Sequence, residues 1–161
     1  MYLTPRFFAL WIALVLLIGL GYAVPLMFVV GRWMLGAFCL LLFLDMALLY
    51  HRTGIQAWRM MSERFSNGDD NEVDIRVESQ YPFSVRLQII DEIPPIFQRR
   101  DVLFKLRLLR REGKKVRYAL RPTVRGTYSF GHIRVFAQSP LGLLQRRFTL
   151  GTPCDVKVYP S

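Results

Sequence analysis

The feature that most limits what this chain can fold into is a run of eighteen residues, 7–24, that contains no charged side chain. At 1.5 Å of rise per residue a helix of that length measures about 27 Å, close to the hydrocarbon thickness of a bilayer. A second run, 33–50, has the same length and a single charge, Asp45. Between the two lie Pro25, the apolar residues 26–30 and Gly31-Arg32, and a reversal of the chain fits either Pro25 or Gly31-Arg32. Residues 1–50 are therefore expected to form a transmembrane hairpin with spans over 7–24 and 33–50. A cleaved signal peptide also begins with a basic residue and an apolar core, but this run is long for one. No clean small-x-small cleavage site precedes the second run.

Charge orients the hairpin. The amino terminus and Arg6 precede the first span and Arg52, Arg59 and Arg64 follow the second, against Arg32 alone between them. Basic residues stay on the cytoplasmic side, so the rest of the chain is expected there, on a multi-pass membrane protein. Trp11, Trp33, Tyr50 and Trp58 stand where interfacial aromatics fix depth. Asp45 lies five residues from the predicted helix end, beside His51 and Arg52. Snorkelling or a helix–helix hydrogen bond accounts for it more simply than a role in transport.

Beyond Tyr50 the composition changes, and most of the 22 Lys and Arg and 12 Asp and Glu that give a net charge of +10 fall there. In the basic amphipathic linker 51–71, Ile55, Trp58, Met61 and Phe65 recur at helical spacing among Arg52, Arg59 and Arg64, which predicts a helix over 51–65 along the headgroups. Ser66-Asn67-Gly68-Asp69-Asp70-Asn71 holds turn formers only and marks the expected domain boundary. From there the period is two. Val73, Ile75 and Val77 alternate with charged residues, and Phe83, Val85, Leu87 and Ile89 repeat the pattern. Val102, Phe104, Leu106 and Leu108 lead into the polar stretch Arg110-Arg111-Glu112-Gly113-Lys114-Lys115, and Val116, Tyr118 and Leu120 return, as in a hairpin. Tyr128, Phe130, Ile133, Val135, Phe148, Leu150, Val156 and Val158 supply further short strands. About seven strands without a helical pattern predict an all-β antiparallel sandwich of immunoglobulin-like type over 72–161.

The residues that follow carry a resemblance. Tyr118-Ala119-Leu120-Arg121-Pro122, Arg125-Gly126-Thr127-Tyr128-Ser129-Phe130-Gly131 and Ser139-Pro140-Leu141-Gly142-Leu143 resemble the amino-terminal part of the domain-of-unknown-function 58 family, bacterial membrane proteins associated with MoxR-type AAA ATPases. The family pattern has an aspartate where Ser139 stands. Val158-Tyr159-Pro160 is similar to the family's junction before a von Willebrand A-like domain, so the resemblance implies a chain truncated before that domain. It also implies the bacterial inner membrane as the location, and a MoxR-type ATPase and client proteins as partners, beside the lipid bilayer. Read physically, Gly126 permits a turn after Pro122 ends a strand, and Pro140-Leu141-Gly142 is a turn with apolar anchors. Arg121 and Arg125 are the candidates for docking an acidic partner surface.

Other chemistries find less footing. The basic clusters Gln98-Arg99-Arg100, Arg110-Arg111 and Lys114-Lys115 fall in turns without an aromatic stacking platform, so a nucleic-acid partner is not expected. An extracytoplasmic envelope-binding module is the other alternative, should the orientation be reversed. Cys39 and Cys154 lie in different parts of the chain, and with His51 and His132 they show no metal-ligand spacing. No nucleophile elbow or phosphate loop is present, and Asp91-Glu92 before Ile93-Pro94-Pro95 read as solvated turn residues. Neither catalysis nor a cofactor is expected, and the oligomeric state is left open.

Overall fold

The computed structural model describes residues 1–51, 54–97 and 102–160. Arg52 and the cluster Gln98-Arg99-Arg100 lie outside the described residues. The chain forms two compact units, one of Met1–Thr53 with Gln138–Arg146 and one of Gly54–Ala137 with Arg147–Ser161.

The first unit is built on two helices. Strand β1, Tyr2–Leu3, leads into α1, Pro5–Leu20, whose start is set by Thr4 as N-cap and Pro5 in the first turn. Residues 21–24 turn the chain, and α2 runs unbroken over Pro25–Tyr50. The turn thus belongs to Pro25, which lacks a backbone N–H and so opens a helix at no loss. Gly31-Arg32, the other candidate for the turn, lies inside α2. The expected spans change accordingly: 7–24 becomes the shorter α1 and 33–50 extends back to Pro25.

The helices pack antiparallel. Phe38 meets the rings of Phe7 and Trp11 at 5.5 and 6.0 Å. At the other end a Cβ on Gly31 would lie 2.7 Å from Ile18, so only glycine lets the backbones approach. At 26 residues, α2 is long and apolar enough to cross a membrane, with a mean hydropathy of 2.1 over its best window. Its length of about 39 Å exceeds a hydrocarbon core. The 16-residue α1 is apolar but short.

The second unit is all strand. Its elements are β2 Ile55–Met61, β3 Arg64–Ser66, β4 Asn71–Ser79, β5 Val85–Asp91, β6 Leu103–Leu108, β7 Gly113–Leu120, β8 Gly126–Phe130, β9 Ile133–Gln138, β10 Leu144–Leu150 and β11 Cys154–Tyr159, of which residue 138 of β9 and residues 144–146 of β10 are counted with the first unit. They form sheets in the orders β2-β4-β7, β3-β11-β8 and β10-β9-β5-β6. Pairing is antiparallel wherever register is defined except between β3 and β11. Inward residues alternate as period two requires, with Val73, Ile75 and Val77 of β4, Val85, Leu87 and Ile89 of β5, and Ile133, Val135 and Ala137 of β9 all buried. Phe65 meets Phe130 edge-on at 6.2 Å, and Phe104 of β6 meets Tyr118 of β7 at 5.8 Å, joining one sheet to another.

Three expectations change here. Residues 55–66 are not the expected amphipathic helix but two strands, β2 and β3, because Ile55 and Ala57 point inward at period two and β2 pairs along its whole length with β4. The turn at residues 66–71 is therefore no domain boundary, and the β unit begins at Gly54. It is an internal turn, locked by Asn71, whose side chain accepts from Ser66 N at 2.9 Å and donates to Ser66 O at 3.0 Å. Finally, β6 and β7 are not a hairpin: β6 pairs with β5 and β7 with β4, so the chain crosses between sheets through residues 109–112.

Candidate functional site

The sequence motif of residues 116–144 is divided among three places. Its first part borders a cleft of about 430 Å³ in the β unit, lined by Asp70, Ile96, Phe97, Arg121, Pro122 and Tyr128 among others. Tyr128 packs against Phe97 with ring centres 5.3 Å apart and the planes tilted by 32°, and it donates its hydroxyl hydrogen to Val124 O, which fixes the wall of the cleft. Arg121 donates from Nε to Gly68 O and Gly68 N donates to Pro122 O at 2.8 Å, so the arginine is held against the turn before β4. Gly126 begins β8 at φ +150°, a conformation side chains avoid. Arg125 is exposed, does not line the cleft and makes no hydrogen bond or ion pair among the described residues.

Gly131 belongs elsewhere. Its carbonyl accepts from Arg59 Nη2 at 3.1 Å, and a Cβ there would lie 2.4 Å from Glu92 Oε2. Arg59 of β2 forms a two-pronged ion pair with Asp91 of β5, one prong from Nε at 3.1 Å and the other from Nη2. Tyr118 of β7 donates its hydroxyl hydrogen to the same carboxylate. Arg59 Nη1 reaches Cys154 Sγ of β11 at 3.4 Å, and the guanidinium lies 4.9 Å from the centre of the Phe130 ring. Burial works against the Arg59 charge, but the hydrogen bond and the charge of Asp91 outweigh it and hold its pKa above the ordinary value. Asp91 is 4% exposed, so it is a buried anchor and not the solvated turn residue expected. Its neighbour Glu92 pairs with Arg134 and accepts from His132 N at 3.0 Å. Sequence reading missed this cluster; the available signal was the alternation Ile55, Ala57, Arg59, in which the arginine takes an inward position.

The last part of the motif lies in the helical unit. Ser139 donates its hydroxyl hydrogen to Asp45 Oδ1, and the backbone N–H groups of Leu143 and Leu144 donate to Oδ2 at 3.0 and 2.8 Å. Asp45 is fully buried. Its partners are therefore a turn from the far end of the chain, not the headgroup layer or the other helix. Ser139 Oγ also accepts from Gly142 N at 3.1 Å, closing a small ring of donors around the carboxylate. Gly142 adopts φ +69°, which turns its carbonyl toward Thr4 Oγ1 at 2.7 Å. Leu143 is buried, whereas Pro140 and Leu141 are exposed. Tyr2 and Leu3 pair with Gln145 and Leu144, which extends the clasp into a short ladder.

No family model matches the chain, and no curated protein matches it. Among solved structures, it is similar to the CARDB domain of a Pyrococcus furiosus protein, solved with di-metal ions, at 12% identity and a TM-score of 0.47, covering 66% of this chain and 94% of that one. A PapD-like domain of human CEP192 aligns at 11% identity and 0.47, over 68% of this chain and 87% of that one. A cohesin module of a Clostridium perfringens family 33 glycoside hydrolase aligns at 9% and 0.45, over 68% of this chain and all of that one.

Proposed function

We propose that this chain is a membrane-anchored, non-catalytic interaction module: α1 and α2 both span the inner membrane, and an immunoglobulin-like β unit on the cytoplasmic side offers its cleft to a partner. The observation that carries the reading is the coat of large apolar side chains on the helix pair. Leu16, Leu26, Trp33 and Phe43 are each more than 60% exposed, and lipid is the medium that covers such a surface without loss. A MoxR-type AAA ATPase with its clients is the partner implied by the resemblance of residues 116–144, and a following von Willebrand A-like domain would be what the module positions. The β unit contributes Arg121 and the Phe97–Tyr128 wall as the docking point.

Cysteine accessibility in oriented inner-membrane vesicles tests this. Tyr22, fully exposed in the turn between the helices, and Asp70, exposed on the β unit, are the probe positions. Labelling of Asp70→Cys from the cytoplasmic side and of Tyr22→Cys from the opposite side is the expected result. Both positions on one side removes the two-span hairpin, and the reversed pattern makes the module one that faces the envelope.

A further inference from the structure

The registers of the β unit gather several chain segments at one end of its strands. β2 begins at Ile55, opposite the last residue of β4, Ser79; β5 begins at Val85, opposite the last residue of β6, Leu108. Gln80 N donates to Gly54 O at 2.8 Å, Ser79 N to Glu112 O at 2.9 Å and Arg111 N to Tyr81 O at 3.3 Å. Gly54 and residues 79–85 and 108–112 thus make one end.

That end is strongly cationic with an apolar tip. Leu109 is 59% exposed, and Arg107, Arg110 and Arg111 beside it are exposed as well. Arg111 sits at φ 51°, in the left-handed region that non-glycine residues avoid. Arg86 stands directly across from Arg107, a like-charged cross-strand pair that costs stability unless an anion offsets it. Arg107 donates to Ser84 Oγ at 3.0 Å, while Arg86, Arg110 and Arg111 make no side-chain hydrogen bond or ion pair among the described residues. The nearby carboxylates are engaged: Glu112 by Leu109 N and Lys114, Glu78 by Arg76.

Only residues 51–54 separate α2 from β2. A stretch from Tyr50 to Ile55 reaches at most about 18 Å. With α2 in a bilayer, the end of the β unit that holds Ile55 is tethered to the headgroup layer. We infer that this end, Leu109 with Arg86, Arg107, Arg110 and Arg111, is a contact surface for anionic phospholipid headgroups. Guanidinium forks match phosphate oxygens, and an exposed leucine flanked by cations enters the interfacial layer. The inference rests on the membrane reading above.

The test uses the full chain in vesicles of phosphatidylcholine with or without phosphatidylglycerol, in a Cys39→Ser, Cys154→Ser background. A nitroxide is placed on Leu109→Cys, and in a separate sample on Glu63→Cys at the far end of β2. The expected result is a severalfold drop in collisions of the 109 label with a water-soluble nickel complex when phosphatidylglycerol is present, with no change at 63. Arg107→Gln, Arg110→Gln and Arg111→Gln combined, or raised salt, abolishes the drop. Equal collisions at 109 in both lipids, from a chain that co-floats with the vesicles after carbonate, overturn the surface and leave the anchor standing. A chain that carbonate strips from the vesicles overturns the anchor itself, and the surface with it. Protection at 109 that requires added polyglutamate and ignores phosphatidylglycerol also overturns the inference and assigns the end to an acidic protein.

Discussion

Each of the two units buries one carboxylate deeply, and they neutralise it in different ways. Asp91 faces a cation: Arg59 grips it with two N–H groups, and Tyr118 adds a third donor. Asp45 makes no ion pair among the described residues and is held by one hydroxyl and two backbone N–H groups from residues 139–144. The first arrangement satisfies two buried charges mutually, so losing either strands the other. The second spreads one charge over dipoles that are neutral without it, so its loss leaves only unmet hydrogen bonds. A counter-ion makes a joint that fails all at once, whereas a ring of dipoles makes a clasp that loosens.

Asp91→Ala is the largest expected effect. It leaves Arg59 buried and unpaired at a place where β2, β5, β7 and β11 meet, and breaking such a pair costs about 3–5 kcal/mol. Denaturant unfolding of the full chain, read from the β unit, should show a loss of that size, and Arg59→Ala a similar one. The double change Arg59→Met, Asp91→Leu should recover much of it, because apolar replacements of comparable volume leave nothing unpaired. A double variant no better than the single ones would show that the pair does more than cancel its own charges.

Asp45→Ala should cost less and act locally. The amides of Leu143 and Leu144 lose their acceptor, at about 1–3 kcal/mol for a buried donor left unmet. Hydrogen exchange at those two amides should speed up while exchange in β4 and β5 stays as it was. Asp45→Asn keeps a carbonyl oxygen for both amides and should restore most of the protection. At Asp91 the matching change to Asn removes the charge that Arg59 needs, so the two asparagine variants separate the dipole clasp from the ion pair.

The contrast also explains what the sequence disclosed. The helices and the strands of β4, β5 and β9 were legible because each obeys one period, and the apolar residues alone carry it. β2 was not, since its third inward position is Arg59; with that residue counted as surface, Ile55, Trp58 and Met61 mimic a helix. An inward arginine makes sense only once Asp91, thirty-two residues later, is known to meet it. Asp45 posed the same difficulty over a separation of 94 residues to Ser139. The resemblance joined residues 116–144 as one motif, whereas the structure divides them between a cleft, an ionic joint and a clasp.

Gly131 tests how tightly the ionic joint is built. A Cβ there would lie 2.8 Å from Glu92 Cβ, backed by the Gly131 N–H that donates to Glu92 O at 2.8 Å, so the strand end has no room to yield. Gly131→Ala should cost about 1–3 kcal/mol, as overpacking usually does. The same substitution at Gly36, inside α2 with nothing within 4 Å, should cost nothing and, by helix propensity, stabilise α2 slightly.

The smallest effect concerns a carboxylate outside both arrangements. Asp74, on the outer face of β4, accepts from Lys115 and Arg117 of β7, and those hydrogen bonds, with the two positive charges, hold its pKa below the ordinary 3.8. A carboxylate depressed on folding stabilises the native state above its unfolded pKa, and that contribution disappears as pH falls toward the folded value. The stability of the β unit should therefore decline as the solution is acidified below about pH 4, more steeply in the native chain than in Asp74→Asn. High salt should shrink the difference, since these partners are exposed to solvent. Raised salt should leave the Asp91→Ala loss nearly intact, because the Arg59–Asp91 pair is shielded from the ions that screen Asp74.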